Sequence, residues 1–113
     1  MPYPWFQWHR VQEGDTLWDI CEWWYGSCDE NRLNRIWLAS RHIIGEDPNQ
    51  IFPGQWLMLP YSEIHYRIRS GDSLSLLAQW VYGDGNLWWI IHQRNPWIPD
   101  PNNIQVGWWI WIP

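Results

Sequence analysis

An α+β fold made of two small β-α-α-β units is predicted by three observations. The first is self-similarity: RVQEGDTLWDICEWWYG is echoed by RIRSGDSLSLLAQWVYG, and DPNQIFPGQWLMLP by DPNNIQVGWWIWIP. The second is local pattern, because each copy runs from a short strand-like stretch through two helical stretches to a final period-2 stretch. The third is length. At 113 residues the chain holds one ordinary domain or two very small ones, and two copies of about fifty residues are too few for a solenoid. Residues 9–60 and 65–113 therefore read as two self-contained units joined by 61–64, preceded by an aromatic arm over 1–8.

In each copy the opening β pattern, Arg10 to Gln12 or Arg67 to Arg69, runs into a Gly-Asp pair. Asp15 with Thr16, and Asp72 with Ser73, read as N-cap residues, because a short oxygen-bearing side chain there accepts from an otherwise unpaired helix amide. The helix that follows turns Leu17, Ile20, Cys21 and Trp24 inward and stops at Gly26 or Gly83, where glycine takes the left-handed conformation. The second helix carries Leu33, Ile36 and Trp37 in copy one, and Leu87, Trp88 and Ile91 in copy two. It is expected to break before Asp47-Pro48 and Asp100-Pro101, since the residue before proline avoids the helical region. Copy one is longer between its Tyr-Gly and its Asp-Pro-Asn, so the extra residues map to this helix or the loop after it. The last strand ends at Pro60 or Pro113. Its alternation puts Leu57, Leu59, Ile110 and Ile112 inward and Trp56, Trp109 and Trp111 outward. First and last strands of a copy should pair antiparallel, with both helices on one face.

Composition narrows the partners. The net charge of −5 argues against a nucleic-acid or anionic-membrane partner, and the seven cationic residues are all Arg, spread without a cluster. No stretch is long and apolar enough for membrane insertion, and MPYPWFQWHR lacks the build of a signal peptide. On that basis the chain is expected in the cytoplasm or in a virion or injection particle, and outside the cell only if a leader has been removed. Cys21 and Cys28 read as free thiols, with a short disulfide as the alternative. The four His and two Cys do not stand at metal-ligand spacing, so neither a metal nor another cofactor is expected. Fourteen Trp and no Lys make the composition abnormal, since a chain of this length ordinarily holds about half a dozen Lys.

The matching residues carry a family resemblance. Gly14, Asp15, Leu17, Trp23, Tyr25 and Gly26 recur as Gly71, Asp72, Leu74, Trp80, Tyr82 and Gly83. Asp47-Pro48-Asn49, Ile51, Gly54, Trp56 and Pro60 recur as Asp100-Pro101-Asn102, Ile104, Gly107, Trp109 and Pro113. GD(T/S)L near the start, YG after the first helix and DPNxIxPGQxLxLP at the end resemble the LysM family. The resemblance implies a non-catalytic module, many of whose members bind N-acetylglucosamine units of peptidoglycan or chitin between the two loops. Carried over, that groove uses Gly14, Asp15, Thr16 and Leu17 with Asn49, Ile51 and Pro53. In copy two it uses Gly71, Asp72, Ser73 and Leu74 with Asn102 and Ile104. Val106 and Trp108 replace the Pro and Gln of PGQ there, which puts the shape of the second groove in question. The family often has a polar residue where Trp56, Trp109 and Trp111 stand, and Trp23 and Trp80 fall on the polar side of the first helix.

Three function classes follow. An enzyme is the weakest, because no HExxH, GxSxG or phosphate-loop pattern occurs and Asp15 and Asp72 already have structural roles. A structural adaptor, of the kind small LysM proteins of phage tails and contractile-injection baseplates resemble, accounts for the outward aromatics. Trp56, Trp109, Trp111, Trp23 and Trp80 would then meet protein partners in a larger assembly. The alternative is a carbohydrate-binding module for N-acetylglucosamine-containing glycans. The adaptor is the expectation carried forward, with the glycan module beside it.

Overall fold

A computed structural model of the chain describes residues 5–113. It divides into two compact units, with the boundary between Ser62 and Glu63. The first contains β1 (Phe6–Arg10), α1 (Leu17–Tyr25), α2 (Glu30–Ala39), α3 (Arg41–Ile44) and β2 (Trp56–Pro60). The second contains β3 (Ile64–Arg67), α4 (Leu74–Tyr82), a 3-10 turn at Gly85–Leu87, α5 (Trp88–Arg94) and β4 (Trp109–Ile112). Each unit has one two-stranded antiparallel sheet. Arg10 stands opposite Trp56 and Trp8 opposite Met58 in the first, Arg67 opposite Trp109 and His65 opposite Trp111 in the second. The fold is α+β, with two β-α-α-β units, each built on a two-stranded sheet.

The alternation of the last strands decides the core. Leu57 and Leu59 are buried with Leu17, Ile20, Ile36 and Leu38 in the first unit. Ile110 and Ile112 are buried with Ile64, Leu74, Leu77 and Ile91 in the second. Each such side chain contributes about 1.5–3 kcal/mol by leaving water. Trp56 and Trp109 point the other way and stay half exposed, and Trp111 is partly covered. The outward face is not uniformly open, however, since Met58 and Pro60 are buried as well.

The helix starts differ from expectation in one respect. Thr16 and Ser73 are the N-caps, accepting from the backbone amides of Asp19 and Leu76 at 3.1 and 3.0 Å. Asp15 and Asp72 turn backwards instead and accept from the amides of Gln12 and Arg69, both at 2.8 Å. One residue further from the helix, their carboxylates reach the preceding turn rather than the first helical amides. The C-terminal glycines behave as the sequence predicts: Gly26 and Gly83 are left-handed, with φ of 84° and 77°.

Four further differences have local causes. The opening strands begin earlier than Arg10 and Arg67; β1 starts at Phe6, inside the stretch read as an arm, whose residues 1–4 lie outside the described part. The second helix of the second unit ends at Arg94, with Asn95 as its C-cap directly before Pro96, rather than before Asp100-Pro101. Trp24 is only half-buried, its indole donating to the Pro60 carbonyl at 3.2 Å. Cys21 and Cys28 are not free thiols but a disulfide. The left-handed Gly26 turns the chain back over α1, which leaves the two Cα atoms 5.5 Å apart, within bonding reach. The extra residues of copy one form α3, held by an Arg41–Glu46 ion pair at 2.7 Å and by the Arg41 guanidinium 4.7 Å from the centre of the Trp37 ring.

A side chain also closes the second edge of each last strand. Ser40 Oγ accepts from Met58 N at 2.7 Å and donates to Met58 O at 2.9 Å. Asn95 does the same for Trp111, accepting from its N at 2.9 Å and donating to its O at 2.7 Å. Both residues are fully buried polar groups, so these bonds replace water that cannot enter.

Candidate functional site

Two loops meet at one end of each sheet. In the first unit they are the β1–α1 loop and the loop before β2, and Val11 ties them. Its amide donates to Gln55 O, and Gly54 N donates to its carbonyl, both at 2.8 Å. In the second unit Ile68 makes the same pair of bonds, to Trp108 O and from Gly107 N, again at 2.8 Å. The sheet ladder thus runs on into the loops and fixes their spacing.

Each loop has its own internal brace. Asp15 closes a turn with Gln12, and Asp72 with Arg69, through left-handed Gly14 and Gly71. Opposite, the side chains of Asp47 and Asp100 accept from the amides of Asn49 and Asn102 at 2.9 Å. These bonds hold the Asp-Pro-Asn turns. Just before the last strand, Gln55 N donates to Phe52 O and Trp108 N to Gln105 O, each at 3.2 Å. Gly54 and Gly107 supply the positive φ this turn requires, 91° and 94°. Val106 and Trp108 keep the glycine-based backbone turn, but Trp108 cannot supply the brace that Gln55 adds in the first unit, where its side-chain oxygen accepts from Phe52 N at 2.8 Å.

The residues expected to form a groove divide into three kinds. Leu17 and Leu74, each 2% exposed, are core residues whose side chains are closed to a ligand. Gly14, Gly71, Asp15 and Asp72 shape the loop. Thr16, Ser73, Asn49, Asn102 and Pro53 are exposed, with Ile51 and Ile104 half-buried beside them. The amides of the Asn49 and Asn102 side chains make no hydrogen bond among the described residues. Thr16 and Ser73 accept through their hydroxyl oxygens as caps, which leaves each O–H free to donate outward. An exposed amide, a hydroxyl and a half-buried aliphatic group are what a neutral acetamido sugar needs for polar and apolar contact.

The units differ beneath the loops. Tyr66 donates its phenol O–H to Asp72 at 2.6 Å. The matching residue, His9, has its Nε2 3.7 Å from Asp15, beyond hydrogen-bond reach, and buried without a hydrogen-bond partner among the described residues. Among the described residues no group of three or more His, Cys, Asp or Glu is placed to hold a metal ion.

The expected interface tryptophans do not gather at the loops alone. Trp56 is 54% exposed, Trp109 50% and Trp23 63%, whereas Trp80 and Trp111 are half-buried. His65 lies between the outward rings of β4, 4.4 Å from Trp111 and stacked on it, and 4.8 Å from Trp109. Burial against these rings pushes the His65 imidazole below the usual histidine range. Missed in the sequence were Ser40 and Asn95, which register the last strands. A polar residue directly before Pro96, at the end of an apolar helix, was the available signal for Asn95.

The LysM domain model matches residues 9–22 and 66–113. The chain belongs to the LysM domain family. It is 36% identical over 99 residues, 88% of its length, to Esterase MT1326 of Mycobacterium tuberculosis (strain CDC 1551 / Oshkosh) and to Esterase Rv1288 of Mycobacterium tuberculosis (strain ATCC 25618 / H37Rv). The match occupies 20% of each, so this LysM chain spans about a fifth of the length of the curated relatives it matches. Among solved structures it is similar to the spore cortex-lytic enzyme SleL of Bacillus megaterium QM B1551, at 21% identity and a TM-score of 0.39. That match covers 96% of this chain and 23% of the other.

Proposed function

We propose that the chain is a carbohydrate-binding LysM protein that holds N-acetylglucosamine-containing polymers, peptidoglycan or chitin, against the loop pair of each unit. The carrying observation is that both units build the same pair of loops, with an unengaged, exposed Asn amide beside a half-buried Ile. Thr16 with Asn49, and Ser73 with Asn102, supply the polar contacts. Ile51 and Ile104 meet the apolar face of the acetamido methyl group. Asp15 and Asp72 position the loops and take no part in chemistry.

The adaptor reading rested on the outward tryptophans, and neither the family match nor the relatives favour a tail or baseplate role. His65 already covers part of Trp109 and Trp111 within the unit, which weakens the need for a protein partner there. The Cys21–Cys28 disulfide favours work in an oxidising compartment, where such a bond persists. That location suits a wall glycan better than the cytoplasm does.

The test is retention on insoluble peptidoglycan and on chitin. Wild type is expected to be retained, and the variant with Thr16→Ala, Asn49→Ala, Ser73→Ala and Asn102→Ala to be released while keeping its circular dichroism spectrum. Wild-type protein that stays in the supernatant with both polymers would defeat the proposal.

A further inference from the structure

The cross-strand pair next to each loop repeats in a way the groove does not require. Arg10 stands opposite Trp56 in the first unit, and Arg67 opposite Trp109 in the second. All four side chains lie on the outward face of their sheet and all four are exposed. Arg10 and Arg67 make no ion pair and no side-chain hydrogen bond among the described residues. Arginine elsewhere in the chain is engaged: Arg32 with Asp29, Arg35 with the Ser62 carbonyl, Arg41 with Glu46 and Arg94 with Glu63. Acidic residues outnumber cationic ones by twelve to seven, so two arginines left unpaired at matching sites are not short of possible partners. The Arg67 guanidinium lies along the turn at Gly107, 3.7 Å from where a Cβ on that glycine would stand, an ordinary contact distance.

We propose that each Arg–Trp pair is a second glycan contact that selects carboxylate-bearing sugar polymers. A pyranose ring lies on the exposed indole, and a carboxylate on the same polymer pairs with the guanidinium, whose planar fork suits a carboxylate. Arg10 adjoins Val11, and Arg67 adjoins Ile68, the residues that tie the two loops. Each Arg–Trp pair thus stands at the loop end of its sheet, one residue from the backbone tie. This inference rests on the glycan reading and refines it: peptidoglycan, with its acidic substituents, is the preferred ligand, and neutral chitin reaches the groove without engaging the arginines.

Binding of the full chain is measured on peptidoglycan sacculi stripped of phosphate polymers, on the same sacculi with their carboxylates amidated, and on chitin. Wild type is expected to bind native sacculi more tightly than amidated ones, by about fivefold for each engaged arginine, as for an exposed ion pair of good geometry. The Arg10→Gln/Arg67→Gln variant is expected to lose that preference and keep its chitin affinity, whereas Arg10→Lys/Arg67→Lys recovers much of it. Trp56→Ala/Trp109→Ala is expected to weaken binding to all three polymers. Wild-type protein indifferent to amidation yet retained on chitin overturns the arginine role and leaves the groove reading standing. An Arg-to-Gln variant that loses chitin and sacculi alike, or neither, also overturns it. Protein retained on none of the polymers overturns both readings.

Discussion

Where the first unit has His9 under its Gly-Asp turn, the second has Tyr66. The phenol reaches Asp72 at 2.6 Å, while the imidazole nitrogen stops 3.7 Å from Asp15. The second loop is therefore hydrogen-bonded to its sheet by a side chain as well as by backbone, whereas in the first the side-chain approach of His9 to Asp15 is looser. The first unit is braced elsewhere, by the disulfide behind α1 and by α3 with its Arg41–Glu46 pair. The same loop pair can thus stand on different supports. The geometry of a loop is set by its glycines and backbone ladder, and the supports decide how firmly it is held.

The largest expected effect separates the two edge clamps. Asn95→Ala leaves the N–H and C=O of Trp111 without partners and should destabilise the second unit by about 3 kcal/mol, and Ser40→Ala the first by about 2 kcal/mol. Segment-resolved hydrogen exchange checks both, since each loss should appear in its own unit. Comparable effects from surface serines would remove the clamp interpretation.

Opening the disulfide comes next. Reduction, or Cys28→Ser, should cost the first unit about 2.5 kcal/mol through the freed loop and leave exchange in 64–113 unchanged. A smaller difference is expected at the turn: Tyr66→Phe should loosen the second loop by about 1.5 kcal/mol, because the lost bond goes to a carboxylate. His9→Tyr should then firm the first loop. An unchanged melting temperature in both variants would erase the contrast drawn between the units.

The smallest effect is acid sensitivity. Burial holds His65, and likewise His42, below the usual histidine value of 6.5. The unfolded chain therefore takes up these protons first as pH falls, so stability is full above about pH 6.5 and declines below it until the folded rings protonate too. His65→Phe should remove this decline from the second unit, and chemical denaturation at pH 7 and pH 5 measures it.

Much of this organisation was readable in the residues. Repeated Gly-Asp, Tyr-Gly and Asp-Pro-Asn marked the β-α-α-β order, and alternation in Trp109-Ile110-Trp111-Ile112 marked the core face. What escaped depended on tertiary neighbours. A cysteine on an apolar helix face reads the same whether free or bonded, and only the turn at Gly26 brings Cys28 within reach. Phe6-Gln7-Trp8-His9-Arg10 carried a strand alternation that its aromatic content obscured. At the candidate site, Asp15 and Asp72 matched a cap pattern one residue too early, and the motif could not separate the core side chains of Leu17 and Leu74 from the exposed ones of Asn49 and Asn102.

The central claim is that the paired loops bind an acetamido sugar, and titration calorimetry with N-acetylglucosamine oligomers tests it most directly. Wild type should give saturable heat, reduced at least tenfold in affinity by Asn49→Ala/Asn102→Ala, about 1.4 kcal/mol, and unaffected by Trp23→Ala on the helix side. Saturable binding that survives the asparagine changes, or no binding at all to oligomers of any length, would contradict the account.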